Sequence, residues 1–173
     1  MPFAVTHFII TIIILTILRD LLNKKTYFPA HYIFIGGLAG LLPDVDKIFL
    51  VLSYFTNISY IDFTHNLIFP SLFLVLSFLS FRLKSFEFRN AKLHWNKIFF
   101  VIFLGIMIHL ILDIFTPDGI IPFFPFSKFV INFPIYQVFP ISLEWAFFPI
   151  IDAILLIFWI SYLEYKHKIS SLF

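Results

Sequence analysis

The sequence predicts an all-α fold: a polytopic membrane helix bundle of about five transmembrane helices plus one short re-entrant or interfacial helix, in a single domain spanning residues 1–173. Three observations predict it. Hydrophobic residues make up 61% of the chain and charged residues 13%, against soluble averages of about 45–50% and about 25%. Mean hydropathy is +0.99. The apolar residues also collect into runs approaching the roughly 17–25 residues that a helix needs to cross the hydrocarbon. The net charge of +2, with no basic stripe among polar recognition residues, excludes a nucleic-acid partner. The absence of cysteine excludes a disulfide framework and a thiolate metal site.

In chain order, residues 3–22 form the first expected span. No basic residue precedes it, and Arg19-Asp20 rather than a small-residue cleavage pattern lies at its end, so it reads as retained and not as a removed signal. Residues 30–42 form a short, packed span in which Gly36, Gly37 and Gly40 let neighbouring helices approach closely. Residues 48–61 are apolar but only 14 long, with Ser53, Thr56 and Asn57, and suit a re-entrant or interfacial helix. Residues 65–81, 98–115 and 145–163 complete the spans. The proline-rich, phenylalanine-rich stretch 117–140 cannot be a spanning helix; it reads as an aromatic loop at the bilayer interface or as inert packing.

Positive charge orients this bundle. Arg19, Lys24, Lys25, Arg82, Lys84, Arg89, Lys92, Lys97, Lys166 and Lys168 fall on one side if there are five crossings. The positive-inside rule makes that side cytoplasmic, with the N-terminus external and the C-terminus cytoplasmic.

Against this apolar background six ionisable residues stand out: His7, Asp44, Asp46, His65, His109 and Asp113. An aspartate at the centre of a spanning helix costs about 2.5–3.5 kcal/mol on insertion scales, so such groups mark function by default. His109 and Asp113 lie four apart on one helical face, just before Pro117 and Gly119 end the helix. They could ligate one ion or bridge two; the plain alternative is an imidazole–carboxylate hydrogen bond. Asp44 and Asp46 sit at alternate positions beyond a helix end, where a solvated turn is the plain reading. His7 and His65, each alone, would be interface or core histidines. Together, three imidazoles and three carboxylates at one depth suit one or two divalent cations: zinc first, with manganese or iron also acceptable. Glu144 and Asp152 stand as further ligands, outer hydrogen-bond acceptors or a general base, and for Asp152 also as a helix-packing partner. His31, His94 and His167 fall on the opposite side and read as uninvolved.

Thr6-His7, the Leu-Leu-Pro-Asp-Val-Asp run at 41–46, Thr64-His65, His109 with Asp113, and the Thr-Pro-Asp-Gly run at 116–119 form an ordered set. This set resembles the membrane-bound metal-dependent hydrolases, a family that includes a LexA-binding inner-membrane protein. The order of ligands is also similar to that of zinc-dependent phospholipases C. No histidine follows His109 before His167, so the similarity implies one or two metals here. The resemblance implies a phosphoester hydrolase. The resulting expectation is a membrane-embedded metal-dependent enzyme that cleaves a lipid or lipid-linked phosphoester at the external interface. A metal-activated water would attack, with Asp44, Asp46 and Asp113 as bridging or catalytic carboxylates. Two other classes fit the same residues: a metal-ion or proton transporter, and a non-catalytic scaffold whose metal only ties helices together.

Overall fold

The computed structural model describes residues 4–21, 28–46, 64–88, 91–116, 119–133 and 144–167. Helix α1 (Ala4–Leu21) is followed by α2 (Ala30–Ala39) and a short 3-10 turn, Pro43–Asp46. Helix α3 (Ile68–Leu79) runs into a second 3-10 turn, Ser80–Arg82. An antiparallel hairpin of β1 (Phe86–Phe88) and β2 (Ala91–Leu93) leads into α4 (Trp95–Asp113), and α5 (Glu144–His167) comes last. Helix α4 is central and packs on α1, α2 and α3, while α5 packs on α1.

Each apolar run proposed as a span contains a helix, but the bundle of five transmembrane helices is corrected. Among the described residues, only α4 is both long and apolar enough to cross a membrane. The ten residues of α2 and the twelve of α3 rise about 15 Å and about 18 Å, against roughly 30 Å of hydrocarbon. The apolarity of α2 reflects burial within protein: Tyr32, Ile33, Gly36, Gly37 and Ala39 are all buried. Helix α1 buries Thr6, His7, Thr11, Thr16 and Asp20, and α5 carries Pro149 inside it. The fold is also not wholly α. The Phe-Glu-Phe and Ala-Lys-Leu alternations pair as Phe86 with Leu93 and Glu87 with Lys92, which turns Leu93 into the core. Residues 48–61, expected to form the re-entrant helix, lie outside the described residues. Residues 119–133 contain no helix, as their prolines require.

The glycines of α2 do what their spacing implies. A Cβ on Gly105 of α4 would lie 2.2 Å from the Gly36 carbonyl oxygen and 3.0 Å from the Gly40 nitrogen. A Cβ on Gly36 would meet Leu15 at 2.3 Å, and one on Gly40 would meet the Thr11 hydroxyl at 2.9 Å. Helices α2 and α4 therefore touch backbone to backbone around these glycines, and side chains of α1 pack directly against α2. Ile12, Leu15 and Ile33 fill one side of the junction, and Tyr32, Ile98 and Val101 the other. Tyr32 is fully buried and accepts the His94 N–H at 2.8 Å, which fixes the start of α4. This crossing sets the height of the C-terminal end of α4 against the end of α2.

Two polar clips hold α5 against α1. The Thr6 hydroxyl donates to Asp152, and the Tyr162 hydroxyl donates to Asp20 at 2.8 Å.

Candidate metal centre

The end of α4 presents His109 and Asp113 one turn apart, and three other elements close on them. Helix α1 brings His7 from its first turns, and the 3-10 turn after α2 brings Asp44 and Asp46. His65 comes from the bend before α3. That bend is fixed by Asn66, whose side-chain oxygen accepts the Ile68 and Phe69 N–H groups at 2.9 and 3.1 Å. Asn66 thereby satisfies two donors that the start of α3 would otherwise leave open. Thr64 fixes the other side: its hydroxyl donates to Asp46 and lies 2.8 Å from the Pro43 carbonyl.

All six residues singled out in the sequence gather at one place. His109 Nε2 lies 3.0 Å from Asp113 Oδ2, 3.4 Å from His65 Nε2 and 3.8 Å from Asp44 Oδ1. His65 Nε2 lies 3.3 Å from Asp113 Oδ2 and 3.8 Å from Asp44 Oδ1. His7 Nε2 lies 3.3 Å from the other oxygen of Asp113, Oδ1, and the His7 and His109 rings are 4.0 Å apart between centroids.

Asp46 is the exception within the group. It faces the Nδ1 of His65, at 3.6 Å, rather than the Nε2 that looks into the cluster. Its place is thus behind a histidine, linked to the ring through the Thr64 hydroxyl, which lies 3.3 Å from the same Nδ1 and donates to Asp46. His109 is engaged from behind by the backbone. Its Nδ1 lies 2.6 Å from the Gly40 carbonyl oxygen, which can only accept, so Nδ1 carries a proton. In the neutral imidazole, Nε2 then bears a lone pair aimed at Asp113 and His65.

That arrangement fits a cation. Among the described residues, Asp113 Oδ2 is buried with no hydrogen-bond donor in proper geometry, although two imidazole nitrogens stand within 3.3 Å. Buried charge of this kind is costly unless it is paired. A tetrahedral ion bound at about 2.0–2.1 Å by nitrogen and oxygen spaces its ligand atoms about 3.3 Å apart. His65 Nε2, His109 Nε2 and Asp113 Oδ2 stand 3.0–3.4 Å from one another, and Asp44 Oδ1 lies 3.8 Å from both imidazole nitrogens. The residues also fall into two groups that could hold a metal ion, His7 with His109 and Asp113, and Asp44 with His65 and His109. Both groups use His109, so they describe one centre.

Burial gives the centre a direction. The side chains of His7, His65, His109 and Asp113 are at most 5% exposed, whereas that of Asp44 is 19% exposed. The centre therefore opens past Asp44. Asp152 is not in the cluster; its bond from Thr6 makes it a helix-packing partner next to His7. The side chain of Glu144 lies outside the description. His31 and His94 belong to the starts of α2 and α4, the ends remote from the cluster.

Three contributors were not assigned a part from the sequence. Gly40 was marked for packing, yet its carbonyl also fixes His109. Thr64 was noted only as the neighbour of His65, and Thr6 only as that of His7; both place carboxylates. A threonine directly before His7 and before His65 is the visible signal.

A buried histidine–aspartate centre in a strongly apolar helical protein defines the class. A family model described as YdjM inner membrane protein matches residues 1–171. The chain belongs to that family of inner membrane proteins. No curated protein and no solved structure matches it. The family description names a membrane location and no chemistry; no hydrolase or phospholipase C similarity accompanies it.

Proposed function

We propose that this protein is a metal-dependent hydrolase of the inner membrane that cleaves a phosphoester of a lipid or lipid-linked substrate. One observation carries the reading: three donor atoms, from the bend before α3 and the end of α4, stand at the mutual spacing of a tetrahedral ion's ligands, with the part-exposed Asp44 beside them. His65, His109, Asp113 and Asp44 would hold the ion, zinc by preference for imidazole, with manganese or iron as alternatives. His7 would keep Asp113 in place through its other oxygen, and Asp46 and the Gly40 carbonyl would keep the two rings aligned. Such an ion supplies Lewis acidity towards a phosphoryl oxygen and towards water.

Asp44 is the group that meets the substrate in this reading. It is the most exposed member of the set, and its carboxylate oxygen is the farthest from both imidazoles, at 3.8 Å. A carboxylate so placed can leave the ion's shell far enough to accept a proton from attacking water. The buried side of the cluster excludes bulk water and admits no substrate.

The side of the membrane follows from α4. Arg82, Lys84, Arg89, Lys92 and Lys97 precede or begin that helix, and the centre lies at its other end. With α4 crossing, the positive-inside rule puts the basic end in the cytoplasm and the centre on the external face.

The test is metal analysis paired with turnover. Purified protein should carry a tightly held divalent ion and release phosphate or a phosphorylated headgroup from a panel of lipid phosphoesters. Asp44→Asn should keep most of the metal and lose turnover. Equal turnover in Asp44→Asn and wild type would overturn the hydrolase reading.

A further inference from the structure

The segment 119–133 begins six residues after the end of α4 and is bonded to the bend that carries His65. It exposes Phe123 by 55%, Phe126 by 88%, Phe129 by 62% and Phe133 by 65%, with Val130 at 44%. Four large aromatic rings directed outward within eleven residues form an unusual surface in water. They are not held there loosely. Ile120 and Ile131 exchange two backbone hydrogen bonds at 3.0 and 2.9 Å, and the Phe133 N–H donates to the Ile114 carbonyl at the end of α4. The Leu67 N–H donates to the Pro122 carbonyl at 3.0 Å, tying the segment to the bend that carries His65. Gly119 sits at φ +61 against Ile131, a conformation and a closeness that only glycine permits. The inner edge is packed: Ile120 is buried with Ile106 and Leu110. The backbone thus closes as a platform, with Ile120 inward and the rings of Phe123, Phe126, Phe129 and Phe133 outward.

We propose that this platform docks in the headgroup–acyl boundary of the bilayer and seats the opening of the metal centre against the lipid surface. Three features on the molecule choose the bilayer over other occupants. The segment begins six residues past Asp113, the last residue of the one described helix able to cross a membrane, which sets it at the membrane boundary. Its tip mixes exposed Phe126 and Phe129 with exposed Lys128, the combination of rings and one cation that suits the interface with anionic headgroups. The chain also belongs to an inner-membrane family, so a lipid surface is at hand. The docking itself rests on these features. Only its purpose, presenting a lipid phosphoester to the centre, rests on the proposed hydrolase.

Because the chain has no cysteine, Phe126→Cys, and separately Ser127→Cys, can each carry a single environment-sensitive fluorophore. The full-length protein is placed in vesicles of phosphatidylethanolamine and phosphatidylglycerol. The label at 126 is expected to emit at shorter wavelength than in detergent-free buffer controls and to be quenched by shallow acyl-chain quenchers. With iodide present on both faces of the vesicles, it should also be protected several-fold relative to the same label at Lys92 on β2. A label at 126 that iodide quenches as freely as at Lys92 overturns the proposal. So does efficient disulfide crosslinking of Phe126→Cys between two chains, because the surface would then face a second copy. Metal content, read on the same samples, separates the two readings. Metal-loaded protein with a water-exposed loop sinks the docking alone, and metal-free protein with a lipid-buried loop upholds it.

Discussion

His65 and His109 present their Nε2 atoms to one point because each Nδ1 is already engaged, one by Asp46 and Thr64, the other by the Gly40 carbonyl. This division between ligands and orienting groups predicts two grades of damage. Asp113→Ala and His109→Ala remove donor atoms and should abolish metal retention, read by elemental analysis after gel filtration. Asp46→Asn leaves every proposed donor atom in place and should weaken metal affinity by about 10–100-fold, the usual effect of losing an outer carboxylate. A competition titration against a chelator measures it, and an unchanged affinity in Asp46→Asn would show that Asp46 does not orient His65. The six candidate residues were legible in the sequence because acids and imidazoles are costly in so apolar a chain. The distinction between Asp44 and Asp46 was not. An extended backbone would aim alternate side chains alike, whereas Pro43–Asp46 forms a 3-10 turn that sends them to different nitrogens of the same histidine.

Between elements, the crossing of α2 and α4 decides whether the donors meet at all. Gly105 has no room for a side chain, since its Cβ would press on the backbone of α2 at Gly36 and Gly40. Gly105→Ala should therefore push the helices apart and move the Gly40 carbonyl away from His109. A cost of about 1–3 kcal/mol, the range for overpacking, is expected in thermal or denaturant unfolding in detergent. Metal affinity should fall with it, although residue 105 touches no donor. Unchanged stability and metal content in Gly105→Ala would contradict the backbone contact. The glycine spacing in α2 announced a close approach, but its partner could not be read: Gly105 stands alone in α4, and only the crossing angle gives it meaning. On the other flank, Thr6→Val should loosen α5 by leaving Asp152 without its donor, at about 1–3 kcal/mol for a stranded acceptor. Faster proteolysis of α5, with metal still bound, is the expected readout.

At the scale of the whole molecule, hydropathy identified a membrane protein and located its helices, then overstated how many cross. Residues 30–42 and 65–81 are as apolar as spans, yet α2 is spent on burial against α1 and α4, and α3 ends at Leu79. A residue buried in protein and one facing lipid look alike in a hydropathy profile; length is what separates them. Crossing by α4 is open to a direct check in a chain free of native cysteine. Single cysteines at Lys92 and at Lys128 should label from opposite sides of sealed vesicles, with Lys92 cytoplasmic. Labelling from one side would place α4 within a single leaflet or remove it from the bilayer. Every role proposed for the clustered histidines and aspartates requires the cluster to bind a cation. Elemental analysis of purified wild type beside His109→Ala tests that most directly. About one equivalent of zinc, manganese or iron per chain is expected, since both candidate groups share His109, and essentially none in the variant. A folded wild-type protein that contains no divalent metal, and takes none up when offered zinc, would contradict it.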